Sequence, residues 1–225
     1  MTPIITKWLG MSDYDQIYRL QQQFADQRGS KTVDEIWCLE HPSVYTLGLA
    51  GKTEHILNAG TIPIINTDRG GQITYHGPGQ LVVYPMLNLR QLSLSIKQYV
   101  HTLEQAVIEM LEHLNIVGTR QNSAPGVYVS DKKIASLGIR MRKGCCYHGL
   151  AVNVNMDLSP FKEINPCGIE GLEVTQLSEA GISLATSEVN SILIPLILRL
   201  LGYEEIEKIC TSDNCDTADV ICEAI

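Results

Sequence analysis

One long stretch of helical periodicity, set among short apolar stretches, constrains the fold most. Between Ser95 and Leu114, apolar residues recur every three or four positions: Ile96, Val100, Leu103, Val107, Met110 and Leu114. This spacing predicts an amphipathic helix that packs on a sheet. Two more helices are predicted. One ends before Gly29 and begins near Ser12, which forms a capping-box pattern with Asp15, and the other runs from about Ser187 to Leu201.

Short stretches broken by glycine and proline predict the strands. They are Glu35 to Leu39, Val44 to Leu47 after His41-Pro42-Ser43, residues 72–84 and residues 127–139. Because strands outnumber the few long helices, the predicted class is α+β. The 225 residues suit one large domain or two small ones. No linker precedes the C-terminal region, so we predict a single domain over residues 1–202 and an acidic, cysteine-containing tail over residues 203–225.

Composition narrows the class of protein. With 44% hydrophobic and 19% charged residues, the chain predicts a soluble globular protein with a continuous core. The longest apolar run, Ile192 to Leu201, is interrupted by Pro195 and Arg199 and is shorter than the ~18 residues of a membrane span. The N-terminal sequence lacks the pattern of an export signal, and seven cysteines are an odd number. We therefore expect reduced thiols and a cytoplasmic protein.

The net charge of −8 hides two opposed regions. Residues 203–225 hold seven acidic side chains against Lys208, whereas residues 120–143 hold six basic side chains against Asp131. A local basic patch on an acidic protein favours an acidic protein partner over nucleic acid. An ordinary solvated charged face is the alternative.

The segment RGGQITYHGPGQ, from Arg69 to Gln80, is unusually rich in glycine. Glycines allow the backbone to approach a ligand closely. Neither a phosphate-binding loop nor a dinucleotide fingerprint fits, because the Lys-Ser or Lys-Thr pair and the required spacing are missing. A tight hairpin with a packed tyrosine is one interpretation. The cationic Arg69 and the titratable His76 favour a binding site instead.

The segment APGVYVSDKKIASLGIR predicts a hairpin that turns at Ser130-Asp131-Lys132. Strand alternation then places Lys132 and Lys133 on opposite faces. A lysine pair is usually surface charge, but a lysine that faces inward needs a partner or a function.

Cys167, in the segment NPCG, is the candidate nucleophile. Pro166 and Gly168 predict a rigid, exposed bend. A free thiol is mostly protonated at neutral pH, so a reactive cysteine needs a neighbouring cation. No Ser-His-Asp pattern or GxSxG elbow is present, and a cysteine paired with lysine or histidine is the most economical catalytic pair. A small buried thiol at a turn is the alternative.

A metal site is not predicted. Cys145, Cys146 and His148 invite a zinc hypothesis, but strand alternation separates the side chains of adjacent cysteines. Cys210, Cys215 and Cys222 show no CxxC pair and no accompanying histidine.

Three blocks of sequence strongly resemble the lipoyl(octanoyl) transferases. They are DRGGQITYHGPGQLVVYP, APGVYVSDKKIASLGIR and GCCYHGLAVNVNMDLSPFKEINPCGI, and the likeness extends from about Glu35 to about Leu201. The resemblance implies a fold like the catalytic domain of biotin and lipoate protein ligases, which is a mixed sheet flanked by helices.

The same resemblance implies roles and partners. Cys167 matches the acyl-thioester nucleophile, and Lys133 matches the lysine that favours its thiolate form. The implied substrate-binding residues are Arg69, Gly70, Gly71, Gln72, Ile73, Thr74, Tyr75, His76, Ser136, Leu137, Gly138, Gly149, Leu150 and Ala151. The implied donor is octanoyl acyl carrier protein, which is acidic, and the implied acceptors are lipoyl domains of 2-oxo acid dehydrogenases and the glycine cleavage H protein. No cofactor, nucleic acid or membrane is implied.

Two other functions remain open on the sequence. An ATP-dependent lipoate ligase could share the fold and would not need Cys167. A catalytically silent protein that binds lipoylated domains is the alternative from another class.

Overall fold

A computed structural model describes residues 2–121 and 124–210 of the chain. The strands are β1 (Thr2–Met11), β2 (Asp34–Glu40), β3 (Val44–Leu47), β4 (Ile64–Asn66), β5 (Ile73–His76), β6 (Gln80–Met86), β7 (Gly126–Val129), β8 (Lys132–Arg142), β9 (Cys145–Asn153) and β10 (Tyr203–Cys210). The helices are α1 (Tyr14–Gln27), α2 (Ile96–His113) and α3 (Thr186–Leu201). The α+β class predicted from the sequence is confirmed.

The strands form one large mixed sheet and one small sheet. The large sheet has seven strands in the order β10-β1-β2-β6-β9-β8-β7. Strand β1 is parallel to both of its neighbours, whereas the strands from β2 through β6, β9 and β8 to β7 pair antiparallel. The small sheet has the order β4-β3-β5.

Helices cover both faces of the large sheet. The pair α2 and α3 packs on one face, where Leu103 and Leu193 join a core with Ile36 and Leu81. Helix α1 packs on the other face, where Ile17 and Phe24 contact a second core around Trp37. A third apolar cluster lies beneath the small sheet.

The helix starts follow from local hydrogen bonds. Ser95 caps α2 through a capping box with Gln98, at distances of 3.2 Å and 3.0 Å. The predicted Ser12–Asp15 cap of α1 is wrong, because the side chain of Asp13 accepts from the Gln16 amide at 3.0 Å. The Ser12 hydroxyl instead donates to the Leu9 carbonyl at 3.1 Å. Helix α1 therefore begins one residue later than a Ser12 cap implies.

Strands at both ends of the described residues extend the sheet beyond the prediction. The sequence predicts no strand at β1 and an acidic tail that begins at residue 203. The structure instead places Tyr203–Cys210 in the large sheet as β10, with Tyr203 opposite Thr2. The predicted domain boundary is corrected accordingly. Residues 211–225, which include Cys215 and Cys222, lie outside the described residues.

Helix α3 contains the longest apolar run of the sequence, Ile192 to Leu201. It includes Pro195 and ends at Leu201, and Gly202, with a φ of 74°, forms a left-handed C-terminal cap. Within residues 2–121 and 124–210, no helix has the length and hydropathy required to cross a bilayer.

Candidate active site

A cavity of about 340 Å³ lies between the large sheet, the small sheet and α1. Segments distant in sequence form its walls: the glycine-rich segment, the middle of β8 and the middle of β9. Apolar groups dominate the lining, and Cys167 stands at one side. Such a cavity suits an apolar chain attached to a reactive group.

The structure brings the predicted binding residues together, with one exception. The lining includes Arg69, Gly70, Gly71, Gln72, Ile73, Thr74, His76, Ser136, Leu137, Gly138, Gly149, Leu150 and Ala151. The Tyr75 side chain does not line the cavity. Its ring packs on Tyr45 and Phe161, and its hydroxyl is 2.9 Å from that of Ser43. The Tyr75 side chain therefore packs under the small sheet, and the binding role of this residue stays a prediction.

Cys167 lies on a tight bend between Pro166 and Gly168. Its φ of 59° is left-handed, an unusual conformation for a residue with a side chain. The Gly168 amide donates to the Asn165 carbonyl at 2.9 Å, which closes the bend. The sequence predicts an exposed cysteine, but the residue is partly buried because the bend faces the hairpin of β7 and β8.

Lys133 faces inward, as the alternation of β8 predicts. It is only 2% exposed, whereas the Lys132 side chain is 45% exposed and pairs with Glu173 at 3.5 Å. The Lys133 Nζ atom lies 3.1 Å from Cys167 Sγ and 2.8 Å from the Pro125 carbonyl oxygen. A buried ammonium beside a thiol stabilises the thiolate, because the two charges attract strongly away from water.

The turn of this hairpin is Ser130-Asp131, whereas the predicted turn also included Lys132, which already belongs to β8. Both residues have left-handed φ values, 48° and 66°, and Val129 pairs with Lys132 directly after the turn. A two-residue loop with these dihedrals matches the twist of the flanking strands. The turn therefore fixes the register that places Lys133 inside.

Arg69 supplies a second buried cation to the cavity. Its guanidinium donates to the Thr46 carbonyl at 2.5 Å, to the Thr46 hydroxyl and to the Gly70 carbonyl at 3.0 Å. No carboxylate of the described residues forms an ion pair with it. Gly138 makes room for the side chain, since a Cβ atom there would lie 2.9 Å from Arg69 Cδ.

A polar aromatic cluster that the sequence analysis missed completes the lining. Tyr14, Tyr84 and His148 line the cavity together with the predicted His76. Burial lowers the pKa of His76 to about 3, and the nearby charges of His41 and Arg69 act in the same direction. Burial also lowers the pKa of His148. The cluster is therefore neutral at pH 7.

Asp68, outside the cavity lining, forms a hydrogen bond with His148 of this cluster. Its carboxylate accepts from Tyr147 and, at 3.0 Å, from His148 Nε2. Burial alone would raise the pKa of Asp68, but these hydrogen bonds and one involving Tyr18 outweigh it and hold the pKa well below its usual value. No sequence motif marks this set, because its members come from separate elements.

The cluster and Lys133 lie at different positions along β8. His148 pairs with Ile139 across the sheet, six positions beyond Lys133. Six residues correspond to roughly 20 Å of strand.

The basic region of residues 120–143 is largely neutralised by pairing within the chain. Arg120 pairs with Glu104 at 3.1 Å, Arg140 with Asp68 at 3.8 Å, and Arg142 and Lys143 share Asp26 at 3.1 Å and 3.7 Å. The predicted basic patch is therefore largely paired with carboxylates, and its recognition of an acidic partner stays a prediction. Of the six basic side chains, Lys133 has no carboxylate partner among the described residues, and Arg142 and Lys143 share one.

No group of metal-binding side chains is found in residues 2–121 and 124–210. Cys145 and Cys146 are buried free thiols on β9. Burial raises the pKa of Cys146 to about 12, although hydrogen bonding with the Leu87 backbone and with Tyr99 acts in the opposite direction. The protonated thiol of Cys146 is a weak ligand for a metal ion.

Comparison with known proteins decides the family. Residues 13–195 match the family described as Lipoyl protein ligase A/B catalytic domain. The chain belongs to this family. The matched range, residues 13–195, includes β5, β8 and β9, which form the cavity wall, as well as Lys133 and Cys167.

Curated relatives within the family are transferases. An octanoyltransferase of Shewanella sp. (strain MR-7) is 49% identical over 205 residues, which cover 91% of this chain and 94% of that protein. An octanoyltransferase of Xanthomonas euvesicatoria pv. vesicatoria (strain 85-10) is 52% identical over 194 residues, 86% and 84% of the two chains. The resemblance and the enzyme class predicted from the sequence, an acyltransferase, are confirmed.

Solved structures share the fold at low identity. A bipartite lipoate protein ligase from Thermoplasma acidophilum has a TM-score of 0.75 at 16% identity, covering 99% of this chain and 92% of that one. A biotin protein ligase from Aquifex aeolicus has a TM-score of 0.57 at 19% identity, covering 89% and 70%. The predicted fold, a mixed sheet flanked by helices as in biotin and lipoate protein ligases, is confirmed.

Proposed function

We propose that the protein transfers an octanoyl group from acyl carrier protein to a lysine of lipoyl domains through a thioester on Cys167. The observation that carries this proposal is the 3.1 Å approach of Lys133 Nζ to Cys167 Sγ beside an apolar cavity. The names of the relatives support octanoyl as the acyl group. The proposed catalytic residues are Cys167 and Lys133, and the cavity residues are proposed to bind the chain.

In the first half-reaction, the Cys167 thiolate attacks the carbonyl carbon of the donor thioester. A new sulfur–carbon bond forms as the bond to the phosphopantetheine sulfur breaks. The departing thiolate takes a proton from the Lys133 ammonium. One thioester replaces another, so this step is close to neutral in free energy.

In the second half-reaction, the neutral amine of the acceptor lysine attacks the acyl-enzyme carbonyl. A carbon–nitrogen bond forms and the Cys167 thiolate leaves. The now neutral Lys133 takes the proton that the amide nitrogen must lose, which restores the starting pair. Conversion of a thioester to an amide is downhill, so the transfer requires no ATP.

The proposed acceptors are lipoyl domains, including those of 2-oxo acid dehydrogenases and the glycine cleavage H protein. The Thermoplasma acidophilum ligase is described together with its own E2 lipoyl domain, which supports an acceptor of this kind. The proposed location is the cytoplasm, and the absence of a disulfide among the described cysteines, including Cys167 itself, is compatible with it.

Intact-protein mass spectrometry after mixing with octanoyl acyl carrier protein tests the proposal. We expect one octanoyl adduct, labile to hydroxylamine and mapped to Cys167. Cys210→Ala removes an exposed cysteine and is the matched control, which should still acquire the adduct. Absence of any adduct while the donor is intact contradicts the thioester route. Activity of Cys167→Ala with ATP and free octanoate would establish the ligase alternative.

A further inference from the structure

We propose that Glu104 on α2 is a positioning residue that holds the Lys133 ammonium against Cys167. It acts through the backbone of Pro125 and Gly126 and touches neither the thiol nor the cavity. The proposal rests on the proposed function for its consequence in catalysis. Its geometry stands independently of that function.

The first link joins α2 to the start of β7. Glu104 is 7% exposed, and its Oε1 atom accepts from the Gly126 amide at 2.8 Å. Its Oε2 atom accepts from Arg120 Nε at 3.1 Å. Arg120 also donates to the His101 carbonyl and to Gln105, so it is fastened to the same helix. A buried carboxylate that accepts a hydrogen bond on each oxygen is held in one position.

The second link joins that backbone to the ammonium. The Pro125 carbonyl, directly before Gly126, accepts from Lys133 Nζ at 2.8 Å. Gly126 has a φ of 146°, and a Cβ atom there would lie 2.5 Å from Lys133 Cε. The lysine stem therefore passes over the bare backbone that Glu104 holds. Movement of the Pro125–Gly126 peptide would therefore move the carbonyl oxygen that accepts from the Lys133 ammonium.

The remaining contacts of Lys133 fix its backbone, so the position of its Nζ atom depends on the Pro125 carbonyl. Its backbone is tied to the segment after the nucleophile, through the Glu173 carbonyl at 2.9 Å and the Thr175 amide at 3.0 Å. These bonds fix the start of a long flexible side chain. Pro125 is the one hydrogen-bond acceptor besides Cys167 that the described residues offer to Nζ.

Other charged or titratable groups also face the pair. They are Tyr128 on β7, whose ring centroid is 5.5 Å from Lys133 Nζ, Arg69 before β5, and His55 beside Gly168. None of them holds the Pro125 peptide. Their effect on the thiol is the same in the variants compared below.

The rate of alkylation of Cys167 by iodoacetamide, followed by peptide mapping across a pH series, tests the role. We expect Glu104→Ala to move the midpoint of the profile to higher pH and to slow alkylation at pH 7 about tenfold, which corresponds to one unit on the pH axis. Glu104→Gln keeps an oxygen acceptor for Gly126 and should stay within about twofold of the wild type. The kcat of transfer should fall with Glu104→Ala while KM changes little.

Two further variants sharpen the test. Glu109→Ala removes an ion pair of α2 with Arg199 and should leave the profile in place. Glu104→Asp keeps the charge but shortens the side chain by one methylene group. It should shift the profile by a smaller amount in the same direction, and it replaces the alanine variant if that chain does not fold.

Two outcomes would overturn the proposal. Lower thermal stability with an unmoved profile would make Glu104 merely structural. A move to lower pH in both Glu104→Ala and Glu104→Gln would show that its charge acts through space. Because alkylation reports on the thiol alone, either result is separate from a failure of the proposed transfer, which Cys167→Ala would reveal by remaining active.

Discussion

The ammonium of Lys133 and the thiol of Cys167 lie 3.1 Å apart, although the residues are separated by 34 positions in the chain. One lies on β8 and is buried, and the other lies on a left-handed bend and is partly buried. In the proposed thiolate form of Cys167, its charge and that of Lys133 would therefore interact with little screening.

Replacement of Lys133 by alanine removes both the cation and the proton carrier. We expect transfer to fall by about 10² to 10⁴-fold, the usual range for loss of general acid–base catalysis. Alkylation of Cys167 should require higher pH. Lys132→Ala, which alters the neighbouring exposed lysine, is the control. An alkylation profile that stays in place in Lys133→Ala would exclude this role of the lysine.

Replacement of Gly126 by alanine tests the space that the lysine stem occupies. The added Cβ atom would collide with Lys133 Cε and with the Ala135 carbonyl oxygen, each 2.5 Å away. We expect kcat/KM to fall about 100-fold, since a displacement near 1 Å at a reacting group has this effect. Gly202→Ala, at a left-handed position with open space around it, controls for backbone strain. Equal kinetics in the two variants would show that the collision is relieved without moving the ammonium.

Buried histidines make stability depend on pH. Burial lowers the pKa of His41 to about 4, although its hydrogen bond to the Ser12 carbonyl and the charge of Asp13 oppose the shift. An unfolded histidine titrates near pH 6.5, so between about pH 4 and 6.5 the unfolded chain binds a proton that the folded chain does not. Stability must fall as the pH drops through this window.

The His41→Gln variant lacks this titrating side chain, so its stability should depend less on pH. We expect the slope of the unfolding free energy against pH, measured by urea denaturation between pH 4.5 and 6.5, to decrease by up to about 1.4 kcal/mol per pH unit. His101→Gln changes an exposed histidine on α2 and is the control. An identical slope in wild type and His41→Gln would mean that His41 accepts its proton in the folded state as well.

The salt dependence of transfer tests the basic surface beside Asp26. Arg142 and Lys143 share one carboxylate, which leaves one positive charge for an acidic carrier protein. We expect turnover at low donor concentration to fall as salt rises, and a double alanine variant of these residues to weaken that fall. Arg19→Ala, on α1, is a matched exposed control. Turnover that does not change with salt contradicts electrostatic docking here.

Local features of the site were predictable from the sequence. The hairpin of β7 and β8 follows from Ser130 and Asp131, which adopt the dihedrals that such a turn requires. Alternation along β8 then placed Lys133 inside, and the Pro-Cys-Gly bend marked Cys167. Each of these inferences depends on a few neighbouring residues.

Features that depend on tertiary contacts were not predictable. Glu104 lies 22 positions before Gly126, and nothing in an ordinary helical pattern marks it as a buried partner of that amide. Tyr14 and His148 likewise meet only when α1 packs on the sheet. The basic residues looked uncompensated because their carboxylate partners, such as Asp26, are remote in sequence.

Strand β10 has a consequence for how the protein is made. It is the only strand of the described sheets to pair with the outer edge of β1, so that edge of β1 stays unpaired until β10, at the end of the described residues, has been synthesised. A chain broken after Gly202 would expose the backbone of β1, with Ile4 and Trp8 along it, to pairing with other molecules. The intact edge carries Glu204, Glu205 and Glu207. Their like charges repel a second copy, so premature termination in this region is expected to cause aggregation before it affects chemistry.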